Sequence, residues 1–144
     1  MTVLRAAVLV AGFATTALSC GAPTGPSDAL VAAVVVAERN AAGIVHLDVA
    51  WHNEGAIPLY VIACGGQVSM SLERRAAGLW QGFGGGICFD NLDQSPVRLD
   101  PGQSVRATVD VGPGDGGEYR AVTSVTAELG HGSTLVRSPS AYVQ

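Results

Sequence analysis

From about position 29 onward, short apolar-rich segments alternate with clusters of Gly, Pro, Asn and Asp roughly every 8–15 residues. The clearest pattern lies in residues 104–111. Val105, Ala107, Val109 and Val111 share one parity, and Ser104, Arg106, Thr108 and Asp110 share the other. A period of two is what a half-buried strand requires, because successive side chains leave a sheet on opposite faces. A second run places Tyr119, Ala121, Thr123, Val125, Ala127 and Leu129 on one face, with Val122 the one apolar residue on the other. The Gly-rich stretch at 112–117 between them reads as a turn, so residues 99–129 predict a central antiparallel hairpin. Further strands are expected over 29–38, 44–51, 58–63, 68–75, 79–83 and 97–99, with a last pairing within 133–143. In the second of these, Val45, Leu47, Val49 and Trp51 point inward. No long segment of 3.6-residue period competes. The expected fold class is all-β, an antiparallel sandwich of about 7–9 strands.

The first nineteen residues stand apart from this pattern. Arg5 precedes an uncharged apolar and small run from 6 to 18. Roughly 13 residues match the core of a signal peptide and fall short of the ~20 that span a bilayer. The run ends in Thr16-Ala17-Leu18-Ser19-Cys20-Gly21, which resembles the lipobox of bacterial lipoproteins, with Ala17 where Leu is commonest. That resemblance implies cleavage before Cys20 and a lipid on its thiol. The alternative is a conventional signal peptide that leaves Cys20 free. Expected domain boundaries are therefore 1–19 signal peptide, 20–28 lipidated Cys and flexible tether, and 29–144 folded domain. The segment Ala22-Pro23-Thr24-Gly25-Pro26-Ser27 carries too little apolar surface to pack. Acyl chains at ~0.8 kcal/mol per buried CH₂ would make the anchor effectively permanent. The implied location is a bacterial membrane. Gly21 in place of Asp favours the outer one, facing the periplasm, where there are two.

A second resemblance concerns the sandwich. Asp115-Gly116-Gly117-Glu118-Tyr119-Arg120-Ala121 fits D-x-G-x-Y-x-A and resembles the tyrosine corner of immunoglobulin-like domains, in which a Tyr near the start of a strand bonds the upstream backbone. Ala121 stands where those domains carry Cys, so an antibody-type bridge is excluded. The run from Trp51 through Asn53, Gly55, Pro58, Leu59 and Val61, followed by Leu99, Pro101-Gly102-Gln103-Ser104 and Tyr119, is similar to small bacterial sandwiches such as the BsuPI-type proteinase inhibitors. It implies an immunoglobulin-like fold and, as an alternative function, proteinase inhibition.

Charge narrows the partners. All eight basic residues are Arg, against twelve acidic residues. Loss of Arg5 with the leader leaves seven against twelve, a balance of −5. With no basic cluster, nucleic acid is a poor partner, since that affinity comes largely from phosphate neutralisation. Three cysteines are an odd count for an exported protein. With Cys20 given to lipid, Cys64 and Cys88 remain as a pair, and an oxidising compartment favours a disulfide. Closing a loop of about 25 residues contributes ~3 kcal/mol on the chain-entropy model. A reactive or metal-binding thiol pair is the rival reading.

The sequence carries little catalytic chemistry. His46, Asp48 and His52 share strand parity, but His46 and His52 stand ~20 Å apart along a strand and read as surface polar residues. Asp90-Asn91-Leu92-Asp93 lacks the spacing of a calcium loop. Gly82-Phe83-Gly84-Gly85-Gly86 lacks the Lys-Ser/Thr of a phosphate cradle. No Ser sits in G-x-S-x-G, and His131 lies in a Gly-flanked turn. No catalytic residue, metal or cofactor is therefore assigned. Trp80 and Phe83, beside the triple glycine, form a candidate binding loop; alternatively, they plug the end of the sandwich. The expected function is a lipid-anchored, non-catalytic module that binds another envelope protein, with a proteinase inhibitor and, more remotely, an envelope hydrolase as alternatives.

Overall fold

A computed structural model describes residues 25–86 and 93–144. The expected signal peptide, Cys20, Cys88 and Asp90 lie outside the described residues. A helical turn, α1 (Pro26–Ala29), is followed by β1 (Leu30–Arg39), β2 (Val45–Asn53), β3 (Leu59–Val61), β4 (Ala63–Cys64), β5 (Gln67–Val68) and β6 (Ser71–Ala76). Then come β7 (Leu79–Gly85), β8 (Val97–Leu99), β9 (Ser104–Val111), β10 (Gly117–Thr126), β11 (Thr134–Arg137) and β12 (Ala141–Val143). All described strand pairings are antiparallel. The all-β antiparallel sandwich is as expected.

One sheet has the order β1-β2-β9. The other is built on β10. Val122 pairs with Ser71 of β6 and with Arg137 of β11, and Val125 pairs with Val61 of β3 and with Thr134 of β11. Since a strand has one neighbour on each side, β3 and β6 lie end to end along one side of β10, and β11 and β12 along the other. β8 and β7 continue the sheet beyond β3 and β6. Ten strand segments thus occupy seven strand positions, and the other two, β4 and β5, form a small separate hairpin inserted between β3 and β6.

The central hairpin is corrected. β9 and β10 form where expected, but they do not pair with each other. β9 pairs with β2 over eight residues, from Val45↔Val111 to His52↔Ser104. The Gly-rich stretch after β9 therefore crosses from one sheet to the other. Three smaller expectations also change. The run 68–75 is broken, with Val68 on β5 and a new strand from Ser71. Leu129 is 54% exposed, because β10 ends at Thr126, whose Oγ1 donates to Glu128 O and accepts from Glu128 N. The tether ends earlier than residue 28: Pro26 pre-sets the first helical turn, and Ala29 is buried with its carbonyl accepting from Glu54 N–H.

The core lies between the sheets. Val45, Leu47, Val49 and Trp51 of β2 are fully buried, as are Leu59, Val61, Leu72, Tyr119, Ala121, Val125 and Val143. Trp51 Nε1 donates to Met70 Sδ at 3.1 Å. The tyrosine corner is present: Tyr119, fully buried, donates its hydroxyl to Asp115 O at 2.6 Å. Asn53 is also fully buried. Its Nδ2 donates to Ile57 O and Leu99 O, each at 2.9 Å, and its Oδ1 accepts from Gly55 N–H at 2.9 Å.

Candidate functional site

On β10 the residues alternating with the core-facing ones are Glu118, Arg120, Val122 and Ser124, which face outward on the larger sheet. Neighbouring strands supply partners at cross-strand distance. Arg120 Nη2 lies 2.6 Å from Glu73 Oε2, Arg137 Nε lies 3.3 Å from the same oxygen, and Arg75 Nη1 lies 3.0 Å from Glu118 Oε2. The Arg120 guanidinium sits 4.1 Å from the centroid of the Trp80 ring, within cation–π range. Burial alone would raise the Glu73 carboxyl, but the bonds from Arg120 and Arg137 outweigh it and hold the group below its ordinary value. Ser140 and Arg75 do the same for Glu118.

Around this ion-paired centre the face is apolar and exposed. Tyr142 is 71% exposed, Leu135 55% and Ile62 42%. A shallow depression of about 180 Å³ lies among Ile62, Ser69, Ser71, Val122 and Leu135, with Gly85 and Gly86 leaving its rim without side chains. Val122, the apolar exception in the sequence pattern, is buried between Ser71 and Arg137. The surface offers hydroxyl donors, guanidinium groups and aromatic and aliphatic contacts.

The structure separates Trp80 from Phe83. Both lie on β7 rather than on a loop, and the hairpin turns at Ala77-Gly78, where both residues have positive φ, 49° and 81°. A two-residue turn of that kind matches the twist of the flanking strands. A bulge opposite Leu72 and Glu73 leaves Phe83 without a cross-strand partner. Trp80 lies under Arg120 on the outer face, whereas Phe83 packs against the core and meets Tyr119 edge-on at 5.3 Å. Phe83 therefore does plug the end of the sandwich, and Trp80 does not.

On the smaller sheet, pairing of β2 with β9 gives each expected polar residue a partner. His46 Nδ1 is 2.6 Å from Asp110 Oδ1, Asp48 Oδ2 is 2.7 Å from Arg106 Nη2, and His52 Nδ1 is 2.7 Å from Ser104 Oγ. Sequence reading missed the Ser104–His52 contact, because the two residues lie 52 positions apart and meet only through that register. A serine beside a histidine is half of a nucleophile–base arrangement; among the described residues no carboxylate is found on the second His52 nitrogen. Asp93 Oδ1 accepts from Ser95 N–H at 2.8 Å, a local turn. His131 lies 3.5 Å from Glu128, both exposed. No group of three or more His, Cys, Asp or Glu able to hold a metal ion occurs among the described residues, and no helix there is long and apolar enough to cross a membrane. Cys64 lies on β4; its expected partner Cys88 is outside the described residues.

No protein-family model matches the chain, and no curated protein matches it. Among solved structures, a protein designated ApaA from Bordetella pertussis is similar at 18% identity and TM-score 0.49, over 78% of this chain and 90% of that one. A β-glucosidase from Listeria innocua is similar at 15% identity and TM-score 0.36, over 80% of this chain. Another, EmGH1 from Erythrobacter marinus, is similar at 13% identity and TM-score 0.32, over 76% of it. The chain spans about a sixth of the length of those two enzymes, 16% and 15%. At these identities and TM-scores the likeness carries nothing about activity.

Proposed function

We propose that this chain is a lipid-anchored, non-catalytic binding module of the bacterial cell envelope. In this reading Cys20 carries the lipid, and Cys64 pairs with Cys88. The observation that carries the binding role is the outer face of the larger sheet, where Trp80, Tyr142, Arg75, Arg120 and Arg137 stand beside exposed Leu135 and Ile62. Trp, Tyr and Arg are the residues that dominate binding energy at protein interfaces, and exposed apolar groups rimmed by polar ones are what a partner covers. The anchor would be the diacylglycerol that the lipobox resemblance implies, on the outer membrane facing the periplasm where there are two membranes.

The test is crosslinking in intact cells, comparing wild type, Cys20→Ala and a face variant, Leu135→Asp with Tyr142→Ser. A single envelope protein recovered by the wild type, and lost from both variants, is the expected result. Recovery that ignores the face variant would remove this surface from the reading. Recovery of nothing specific from any form would shift the assignment to proteinase inhibition, the function implied by the BsuPI-type resemblance. Mass analysis after thiol blocking tests the proposed pair: native protein should leave Cys64 and Cys88 unmodified until it is reduced.

A further inference from the structure

The expected tether leads into α1 and the start of β1. At the opposite end of the sandwich, where β1 and β9 finish and β10 begins, lies an open cavity of about 320 Å³ lined by Arg39, Arg74, Phe83, Pro113, Gly114 and Asp115, with Gly43 at its edge. We propose that it is a binding site for a carboxylate carried on an aromatic or apolar body. This site is separate from the outer face of the larger sheet and does not depend on it.

Three observations carry the assignment. First, Arg39 is held in place without being neutralised by a side chain. Its Nε donates to Gln144 O at 3.1 Å and its Nη1 to Gly114 O at 3.2 Å. Each of the other six arginines among the described residues has a side-chain carboxylate partner; Arg39 has none there. Arg39 is thus fixed by two main-chain oxygens, one of them on Gln144, the last residue of the sequence, and no Asp or Glu side chain among the described residues pairs with it. Second, Arg74 is only partly engaged. Its Nη1 contacts Asp115 Oδ2 at 3.1 Å, but that carboxylate is 82% exposed, and the buried Arg74 Nε has no hydrogen-bond partner among the described residues. Third, the walls are pre-formed. Asn40 Oδ1 accepts from Ala42 N–H and Ile44 N–H, Gly43 N–H donates to Asn40 O, and Gly114 N–H donates to Gly43 O at 2.8 Å. The two loops are thereby locked together, and Phe83, fixed by Tyr119, supplies an aromatic wall. Planar guanidinium groups match a carboxylate bidentately, and a pocket with a few convergent polar groups beside an aromatic surface is the usual form of a small-ligand site.

Asp115 lines the same cavity and competes for Arg74. It therefore makes the proposal sharp: its neutralisation should strengthen carboxylate binding.

The experiment is an NMR titration of the exported domain with benzoate, and with benzamide as the uncharged isostere, at constant ionic strength. Benzoate is expected to shift the Arg39 and Arg74 Nε–H signals and the Gly43 and Gly114 amides saturably, in the millimolar range, while benzamide does not. Arg39→Gln and, separately, Arg74→Gln should each weaken binding about tenfold. Asp115→Asn should tighten it several-fold, and Arg106→Gln, on the other sheet, should leave it unchanged. N-acetylphenylalanine and the capped dipeptide N-acetyl-Glu-Phe-amide then distinguish a chain-terminal carboxylate from an acidic side chain. Equal responses to benzoate and benzamide would overturn the proposal, as would no saturable shift. Undiminished binding in both folded Arg variants would overturn it too. Circular dichroism checks that the variants are folded, and Asp115→Asn tests the same site by a gain that unfolding cannot imitate.

Discussion

Asn53→Ala should be among the most damaging single polar substitutions in this domain. Asn53 ends β2 and is fully buried. Through one amide it satisfies the carbonyls of Ile57 and Leu99 and the N–H of Gly55, all at 2.9 Å. It thus ties the end of the smaller sheet to β8 and to the loop that leads into β3. Truncation leaves three backbone groups without their partner. The Leu99 carbonyl is in a buried bond and loses ~1–3 kcal/mol when unsatisfied; the other two bonds are part-buried, where water recovers some of the loss, leaving ~0.5–1.5 kcal/mol each. The sum centres near ~4 kcal/mol, a large share of the ~5–15 kcal/mol stability of a domain this size. The assay is urea unfolding followed by the fluorescence of the buried Trp51. The midpoint should fall with the slope unchanged. Asn53→Asp keeps the acceptor for Gly55 but presents a carboxylate oxygen to two carbonyls, so it should be at least as destabilising as Ala. A loss below ~1 kcal/mol for Asn53→Ala, or an Asp variant as stable as wild type, would refute this account of the site.

Three further outcomes are expected. Tyr119→Phe removes the 2.6 Å bond to Asp115 O and should cost ~1–1.5 kcal/mol in the same unfolding assay, with the fold retained. Gly114→Ala would place a Cβ 2.6 Å from Phe83 Cζ, so overpacking should cost ~1–3 kcal/mol, and Phe83→Leu should relieve part of it. The Glu73 carboxyl lies below its ordinary 4.5 in the folded state. Its stabilising contribution is therefore fully present above pH 4.5 and is lost as pH falls through the lower folded value. Glu73→Gln should flatten the acid limb of the stability–pH curve without altering its form near neutrality; an unchanged acid limb would remove Glu73 from that limb.

The alternation of Val45, Leu47, Val49 and Trp51, and of Val105, Ala107, Val109 and Val111, was enough to place β2 and β9 and to identify their core faces. A period of two is local information that a strand carries in its own residues. The tyrosine corner was legible for the same reason, since Tyr119 and Asp115 are four residues apart. What residue patterning does not encode is which strand lies beside which. β9 and β10 are adjacent in sequence, and the Gly-rich stretch between them suits a hairpin as well as a crossing. The choice of β2 as partner for β9 rests on an eight-residue register and a core shared by two sheets, both of which sum over distant residues. The same non-local pairing brings Ser104 to His52 and Asp110 to His46. Trp80 and Phe83 stand three residues apart on β7, so strand alternation puts Trp80 on the outer face and Phe83 against the core, and two aromatics that look like one site belong to two. The Arg39–Arg74 cavity was invisible for the clearest reason. Its walls come from the β1–β2 turn, from β6 and β7, and from the crossing loop before β10, and only the packing of one sheet on the other brings those guanidinium groups to the same opening.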